Sequence, residues 1–325
     1  MSPTALPFLD LHLHDDATAV RAAVDRVVAS GWFVLGPEVD RFEAEFAGAS
    51  GAHHAVGVGS GTDALALLLR ALDIGPGDEV IVPAMTAAFT GLAVLMAGAR
   101  PVFADVDPAC LTLDPAACSA AVTSRTKAVI PVHLYGQAAD LGAIGAVAAR
   151  HNLAVVEDCC QAHLATHHGR PVGTIGIGGA FSFYPTKNLG ALGDGGAVVT
   201  QDQAVADKIR RLRNGGQEMR YHHVEPGVNT RLDELQAAVL RARLPLLPQW
   251  TERRRALARA YRSALAEHLP VPERDRGHVY HLFPVRSGRR DALQAHLRAA
   301  GIETLIHYPV PLPDQPAFAH ASPAT

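Results

Sequence analysis

Lysine is scarce in this chain: of 29 basic residues only Lys127, Lys187 and Lys208 are lysines, and the rest are arginines. Charge of one sign is not in excess. A formal net charge of −3 gives no reason to expect nucleic acid or an anionic membrane as partner, so any anion must be bound locally. Four cysteines (Cys110, Cys118, Cys159, Cys160) have neither CxxC pairing nor framework spacing, which argues against a disulfide scaffold and fits a reducing compartment. The longest apolar run, around 87–97, is too short to span a bilayer. The first residues lack a basic stretch ahead of an apolar one, so no leader is read and the cytoplasm is the expected location. No His/Cys cluster has zinc spacing. The 17 histidines include His12-Leu-His14 and adjacent pairs at 53–54, 167–168 and 222–223. Adjacent side chains point apart on a strand or helix, so no metal is expected.

What is present is an α/β pattern. At 325 residues, with 48% apolar and 19% charged residues, the chain can bury a sizeable core, and two domains are expected. Helical spacing over 16–30, with Asp15 or Asp16 as cap, precedes a loop at 31–37 carrying Trp32 and Phe33, and a helix at 38–46. Short apolar strands then alternate with helices: strands at 55–58, 79–82, 101–104, 128–132, 154–157, 180–183 and 197–200, helices at 62–72, 89–98, 115–122 and 141–150. That alternation predicts a largely parallel sheet. Near 243 the pattern changes. Leu244-Pro-Leu-Leu-Pro248 breaks a helix begun near Arg231, an Arg-rich helix is predicted over 250–268, and strand, helix and strand follow at 279–285, 289–300 and 302–307. The expected division is therefore a large domain over 1–245 and a smaller α+β domain over 246–325.

Three stretches carry chemistry. Gly57-Val-Gly-Ser-Gly61-Thr62-Asp63 joins a strand to a helix start, where small residues and the helix dipole can bring backbone amides to an anion. It has neither the lysine of a Walker loop nor dinucleotide-fingerprint spacing, and it also reads as a plain tight turn capped by Thr62 or Asp63. Val155-Val-Glu-Asp158-Cys-Cys-Gln161 sets carboxylates at the C-terminal end of a buried strand, where α/β sheets bind ligands. Lys187 follows an apolar strand and precedes a glycine-rich run. Arginine cannot form an imine and lysine can, and burial would favour the neutral, nucleophilic amine. On these residues alone, a lysine with its head in solvent fits as well.

Phe181-Ser-Phe-Tyr-Pro-Thr-Lys187-Asn-Leu-Gly-Ala-Leu-Gly-Asp-Gly-Gly196 resembles the cofactor-lysine segment of the DegT/DnrJ/EryC1/StrS-type sugar aminotransferases, and the resemblance runs from Phe8 to Phe318. It implies the fold-type-I, aspartate-aminotransferase-like α/β fold, with a mixed, mostly parallel seven-stranded sheet, and pyridoxal 5′-phosphate (PLP) as cofactor. By the same resemblance Lys187 forms the Schiff base and Asp158 pairs with the pyridine nitrogen. Gln161 meets the ring oxygen, and Gly61, Thr62 and Ser182 hold the phosphate. Gly227-Val-Asn229-Thr-Arg231 resembles a segment that reaches the neighbouring subunit's phosphate, implying a homodimer with shared active sites; Asn229 or Thr230 also reads as a helix cap. Phe33 and Tyr308 are the substrate-side candidates. The implied reaction aminates a nucleotide-linked keto-deoxysugar with glutamate as donor, and within the family the motifs look most like enzymes of dTDP-3-keto-6-deoxyhexoses. Two other readings remain: a PLP-dependent sugar dehydratase, which carries histidine where Lys187 stands, and a non-catalytic PLP-binding regulatory paralogue. The chain departs from the pattern at Ala87, where the family places an aromatic to stack on the ring; Phe89 lies two residues on. It departs again at Pro313, where the family usually has histidine. The family also continues for several dozen residues beyond Phe318, so part of the apolar surface of 279–307 is expected to be uncovered.

Overall fold

The computed structural model describes residues 5–265, 269, 276–319 and 321. Two helices open the chain, α1 (Ala17–Ser30) and α2 (Pro37–Ala49). Eleven strands follow: β1 (His54–Val58), β2 (Glu79–Pro83), β3 (Arg100–Ala104), β4 (Thr126–Val129), β5 (Ala154–Asp158), β6 (Thr166–His167), β7 (Arg170–Pro171), β8 (Gly178–Ser182), β9 (Gly196–Thr200), β10 (Gln217–Met219) and β11 (His222–His223). Between and after them lie α3 (Gly61–Ala71), α4 (Ala88–Met96), α5 (Pro115–Ala120), α6 (Leu141–His151), α7 (Gln203–Leu212), α8 (Glu234–Arg243), α9 (Leu247–Leu265) and α10 (Arg290–Ala299).

Seven strands form one sheet in the order β1–β9–β8–β5–β4–β2–β3. Only β9 runs against its neighbours; β8, β5, β4, β2 and β3 are mutually parallel. The expected mixed, mostly parallel seven-stranded sheet is therefore present. Its strands are apolar on both faces because both faces are covered. One face packs Leu65, Leu68 and Leu69 of α3, with Val205 and Ile209 of α7, on Val56, Val80, Val156 and Val198. The other packs Phe42 and Phe46 of α2 on Phe181 and Phe183. Those rings meet at 5.1–5.2 Å, edge-on across the layers, a geometry favoured by the ring quadrupole.

Several boundaries depart from expectation. The α3 cap is Ser60, whose side chain accepts from the Asp63 N–H, rather than Thr62 or Asp63. Asp16 occupies the cap position of α1 without capping it. Its carboxylate instead accepts from Arg243 Nε at 2.7 Å and from the His14 N–H at 3.1 Å. The helix expected from Arg231 begins at Glu234, because Asn229 bridges to Asn214 and Thr230 is drawn to the β1–α3 turn. Neither 279–285 nor 302–307 joins a sheet ladder; Ile302 makes one isolated parallel bridge to Leu6. The N–H and carbonyl groups of 279–282 are instead taken up by loop contacts described below. The Arg-rich helix starts earlier, at Leu247, and its expected last residues, 266–268, lie outside the described residues.

Candidate active site

The sheet gathers the chemistry-bearing residues along one edge. The C-terminal ends of β1, β5 and β8, which run in the same direction, deliver Gly61, Asp158 and Ser182. At the Gly61 position a methyl group would stand 2.6 Å from Cys160 Sγ and 2.9 Å from Ser182 Cβ. A side chain at Gly196 would run into the Ser60 backbone. Glycine at these two points lets the start of α3 lie against β8 and β9, leaving the Gly61–Thr62 N–H groups at the end of a helix dipole. Three side chains fix this turn. Glu43 accepts the Gly57 N–H at 2.8 Å, Arg213 Nη1 donates to the Gly57 carbonyl at 2.7 Å, and Thr230 Oγ1 accepts the Gly59 N–H at 2.9 Å.

Asp158 is buried, 5% exposed. Its carboxylate accepts from Thr90 Oγ1 at 2.8 Å and from the Cys160 N–H at 3.1 Å, so it is satisfied on two sides and held in one orientation. Gln161 is locked from both ends: Oε1 accepts the Tyr135 N–H at 2.7 Å and Nε2 donates to Tyr308 Oη at 3.0 Å. Burial, with Asp158 and Cys160 close by, pushes the Tyr308 hydroxyl pKa above its ordinary value. Glu157, one residue before Asp158, faces away. It accepts from His133 Nε2 and from the N–H groups of Gly173, Ile175 and Gly176 at 2.7–3.0 Å. Burial alone would raise its pKa, and these donors together hold it down. His133, Glu157 and Cys159 have ligand atoms within 4.8 Å of one another. However, His133 Nδ1 accepts the Ala139 N–H and the carboxylate of Glu157 is taken by its four donors, so the group works as a clamp on the chain.

Lys187 sits half-buried in the loop after β8, its N–H donating to the Tyr184 carbonyl at 2.8 Å. The other two lysines are elsewhere: Lys127 is exposed, and Lys208 pairs with Asp73 at 2.5 Å. The charge of Lys187 is felt by Cys160, His163, His281 and His307, which places its amine amid these groups. His163 Nε2 donates to the Ser182 carbonyl at 2.9 Å, while its buried Nδ1 has no partner. Burial, then Lys187, depress its pKa to about 3.

Seven of the nine candidate residues thus converge: Gly61, Thr62, Asp158, Gln161, Ser182, Lys187 and Tyr308. Asn229 and Phe33 are exposed. Asn229 lines a cavity of about 500 Å³ with Val34, Gly59, Ser60, Asp194 and Arg231, next to the Gly61–Thr62 turn. Phe33 is 48% exposed in the adjoining loop, its carbonyl accepting the Glu234 N–H at 3.1 Å. The buried Glu234 carboxylate holds that loop by accepting the N–H groups of Gly36, Glu38 and Val39 at 2.8–2.9 Å. Phe89, the aromatic nearest Ala87, is 63% exposed.

A family profile, the DegT/DnrJ/EryC1/StrS aminotransferase family, matches residues 14–325. The chain belongs to that family. The dTDP-3-amino-3,4,6-trideoxy-alpha-D-glucose transaminase of Streptomyces venezuelae is 52% identical over 324 residues, covering 98% of this chain and 86% of that protein. A UDP-N-acetyl-3-dehydro-alpha-D-glucosamine 3-aminotransferase of Acidithiobacillus ferrooxidans is 48% identical, covering 98% and 87%. The crystal structure of S. venezuelae DesV with a ketimine intermediate superposes with a TM-score of 0.94 at 50% identity, covering 99% of this chain and 88% of that one. The cofactor of this DegT/DnrJ/EryC1/StrS protein is pyridoxal phosphate. The residues present fit it: a cradle too tight for a Cβ at Gly61, a buried carboxylate at a strand end, and a half-buried amine beside them.

Sequence reading missed Thr90, Tyr135, His163 and the 278–282 stretch. Thr90 carried a faint signal, a lone hydroxyl one turn into an otherwise apolar helix.

Proposed function

We propose that the protein is a homodimeric aminotransferase that converts a dTDP-linked keto-deoxysugar to its amino sugar with glutamate as donor. The observation that carries this reading is the convergence of Lys187, Asp158, Gln161 and the Gly61–Ser182 cradle at one sheet edge. Bound PLP supplies an aldehyde carbon and an electron sink. Lys187 is the one lysine at the site; it would anchor the cofactor and, once displaced by substrate, move a proton between the two carbons either side of the shared nitrogen as general base and acid. Asp158, oriented by Thr90, would keep the proton on the pyridine nitrogen. Gln161 and Tyr308 form a wall that orients the ring and meets the sugar. Lys187 also speaks against a dehydratase. The dTDP assignment is supported by the 52% relative, while the 48% relative acts on a UDP sugar, so the nucleotide is the point to test.

The dimer reading is supported by Asn229 standing exposed on an open cleft, where a residue serving a partner's site would have to be. Incubating the protein with PLP, glutamate and a panel of dTDP- and UDP-keto sugars, with products read by mass spectrometry, tests the assignment. An added amino group on a dTDP-keto sugar is expected. Amination of UDP sugars alone would reject the nucleotide, and no amination of any sugar would reject the activity.

A further inference from the structure

The stretch 278–282, expected to be a small-domain strand, is tied to the active site on three sides. The Val279 N–H donates to the Gly136 carbonyl at 2.9 Å, and the Leu282 N–H to the Tyr135 carbonyl at 3.3 Å. The Asn188 side chain, next to Lys187, donates from Nδ2 to the Val279 carbonyl at 3.1 Å. That bond fixes the amide orientation, so Asn188 Oδ1 accepts from His281 Nδ1 at 3.2 Å. On the far side, α9 supplies Arg254. Its Nη1 donates to the Tyr280 carbonyl at 3.1 Å and the His281 carbonyl at 3.3 Å.

Arg254 has no carboxylate partner among the described residues. It is half-buried, and burial lowers its pKa. Lys187 approaches the same imidazoles from the sheet side. After burial, the charges acting on His163 and His281 come first from Lys187 and then from Arg254, and both push those rings toward the neutral form. Asp158, the carboxylate on this edge, is committed to Thr90 and Cys160. Arg254 thus brings a cation to a sparsely solvated place beside Lys187, the cofactor's anchor, with no carboxylate of its own among the described residues, which a protein tolerates poorly unless a ligand supplies one. A planar guanidinium anchored by one nitrogen has its remaining N–H groups for a carboxylate.

We propose that Arg254 forms an oxyanion subsite that takes a carboxylate of the amino donor. The inference rests on the aminotransferase reading and says how an acidic amino acid is chosen. The other oxyanion in such a reaction is the diphosphate of the nucleotide sugar, and the two sources separate by titration. Glutarate and dTDP, neither of which reacts, are titrated calorimetrically into the PLP-loaded protein, its Arg254→Gln variant and its Arg254→Lys variant. Glutamine keeps an N–H for the 280–281 carbonyls and removes the charge; lysine keeps the charge and removes the planar fork. The expected result is a glutarate Kd raised at least tenfold by Arg254→Gln and by a smaller factor by Arg254→Lys, with the dTDP Kd unchanged in both. Loss of dTDP binding alone, equal loss of both ligands, no change in either variant, or a native protein that does not bind glutarate would each overturn the subsite. Glutarate has no amino group, so its binding is read without turnover. A protein that binds glutarate through Arg254 but aminates no sugar would sink the proposed function and leave the subsite standing.

Discussion

Replacing Thr90 by valine tests whether the site works through an oriented carboxylate. Thr90 Oγ1 donates to Asp158 Oδ2 at 2.8 Å, and the Cys160 N–H donates to the same carboxylate at 3.1 Å. Valine has the same shape, and the second hydroxyl nearby, Thr86 Oγ1, is 3.4 Å from Thr90 Oγ1, a weak contact to lose. The variant should therefore fold normally and bind PLP nearly as well. A hydrogen bond to a charged group contributes about 1.5–3 kcal/mol. If roughly half of that is felt only when the carboxylate must stabilise the protonated ring, the loss is about 0.75–1.5 kcal/mol, or roughly four- to thirteenfold in rate. Asp158→Asn removes the charge itself and should slow the same step by orders of magnitude while PLP stays bound. The assay is single-turnover absorbance of the cofactor on mixing with glutamate, with Tm as a check on folding. A Thr90→Val protein as fast as the native one would show that orientation contributes nothing. A defect as deep as that of Asp158→Asn would show that Thr90 does more than orient.

Borohydride treatment of the PLP-loaded protein should fix the cofactor to a peptide containing Lys187; label on Lys127 or Lys208 would refute the assignment. Stability should fall with acid. His163 titrates near 6.5 when unfolded and at about 3 when folded, so the unfolded chain takes up the extra proton between those values, and stability is lost as pH drops through that window. Denaturation midpoints of His163→Gln, which keeps a donor for the Ser182 carbonyl, should show a shallower loss there than the native protein; an equal slope counts against His163 as a source. For the shared site, Lys187→Ala should be inactive, and Asn229→Asp should bind PLP weakly by facing a carboxylate to the phosphate. In a mixed dimer of the two, one site carries both defects and the other neither, so activity should return; confirmed mixed dimers that stay inactive would assign Asn229 to its own subunit's site.

The sheet could be read from the sequence because its strands are short, apolar and buried on both faces, a signal that survives without neighbours. Lys187 and Asp158 could be read for a related reason: Asp158 ends β5 and Lys187 lies in the loop that follows β8, and strand ends converge in this architecture. What failed was set by partners distant in sequence. Thr230 looked like a helix cap and instead holds Gly59, 171 residues away. The stretch 279–285 has strand-like composition, yet its N–H and carbonyl groups go to Gly136, Tyr135, Asn188 and Arg254 instead of a ladder. Helix α7 went unread although Asp202 caps it and Val205, Ile209 and Leu212 share its buried face.

Thr90 and Arg254 belong to the same class as these failures. Each is one polar residue within a helix, and its local sequence says little about the partner it meets. Arg254 is flanked by Arg253 and Arg255, so composition offers three equal candidates. Only the direction of the helix against 278–281 separates them. Arg255 reaches the His278 carbonyl and pairs with Glu252, and so has a carboxylate. Arg254 reaches the Tyr280 and His281 carbonyls and has none among the described residues. In a chain that uses arginine for nearly every cation, function at a particular arginine is therefore marked by the partner it lacks, just as Lys187 is marked by the scarcity of its own kind.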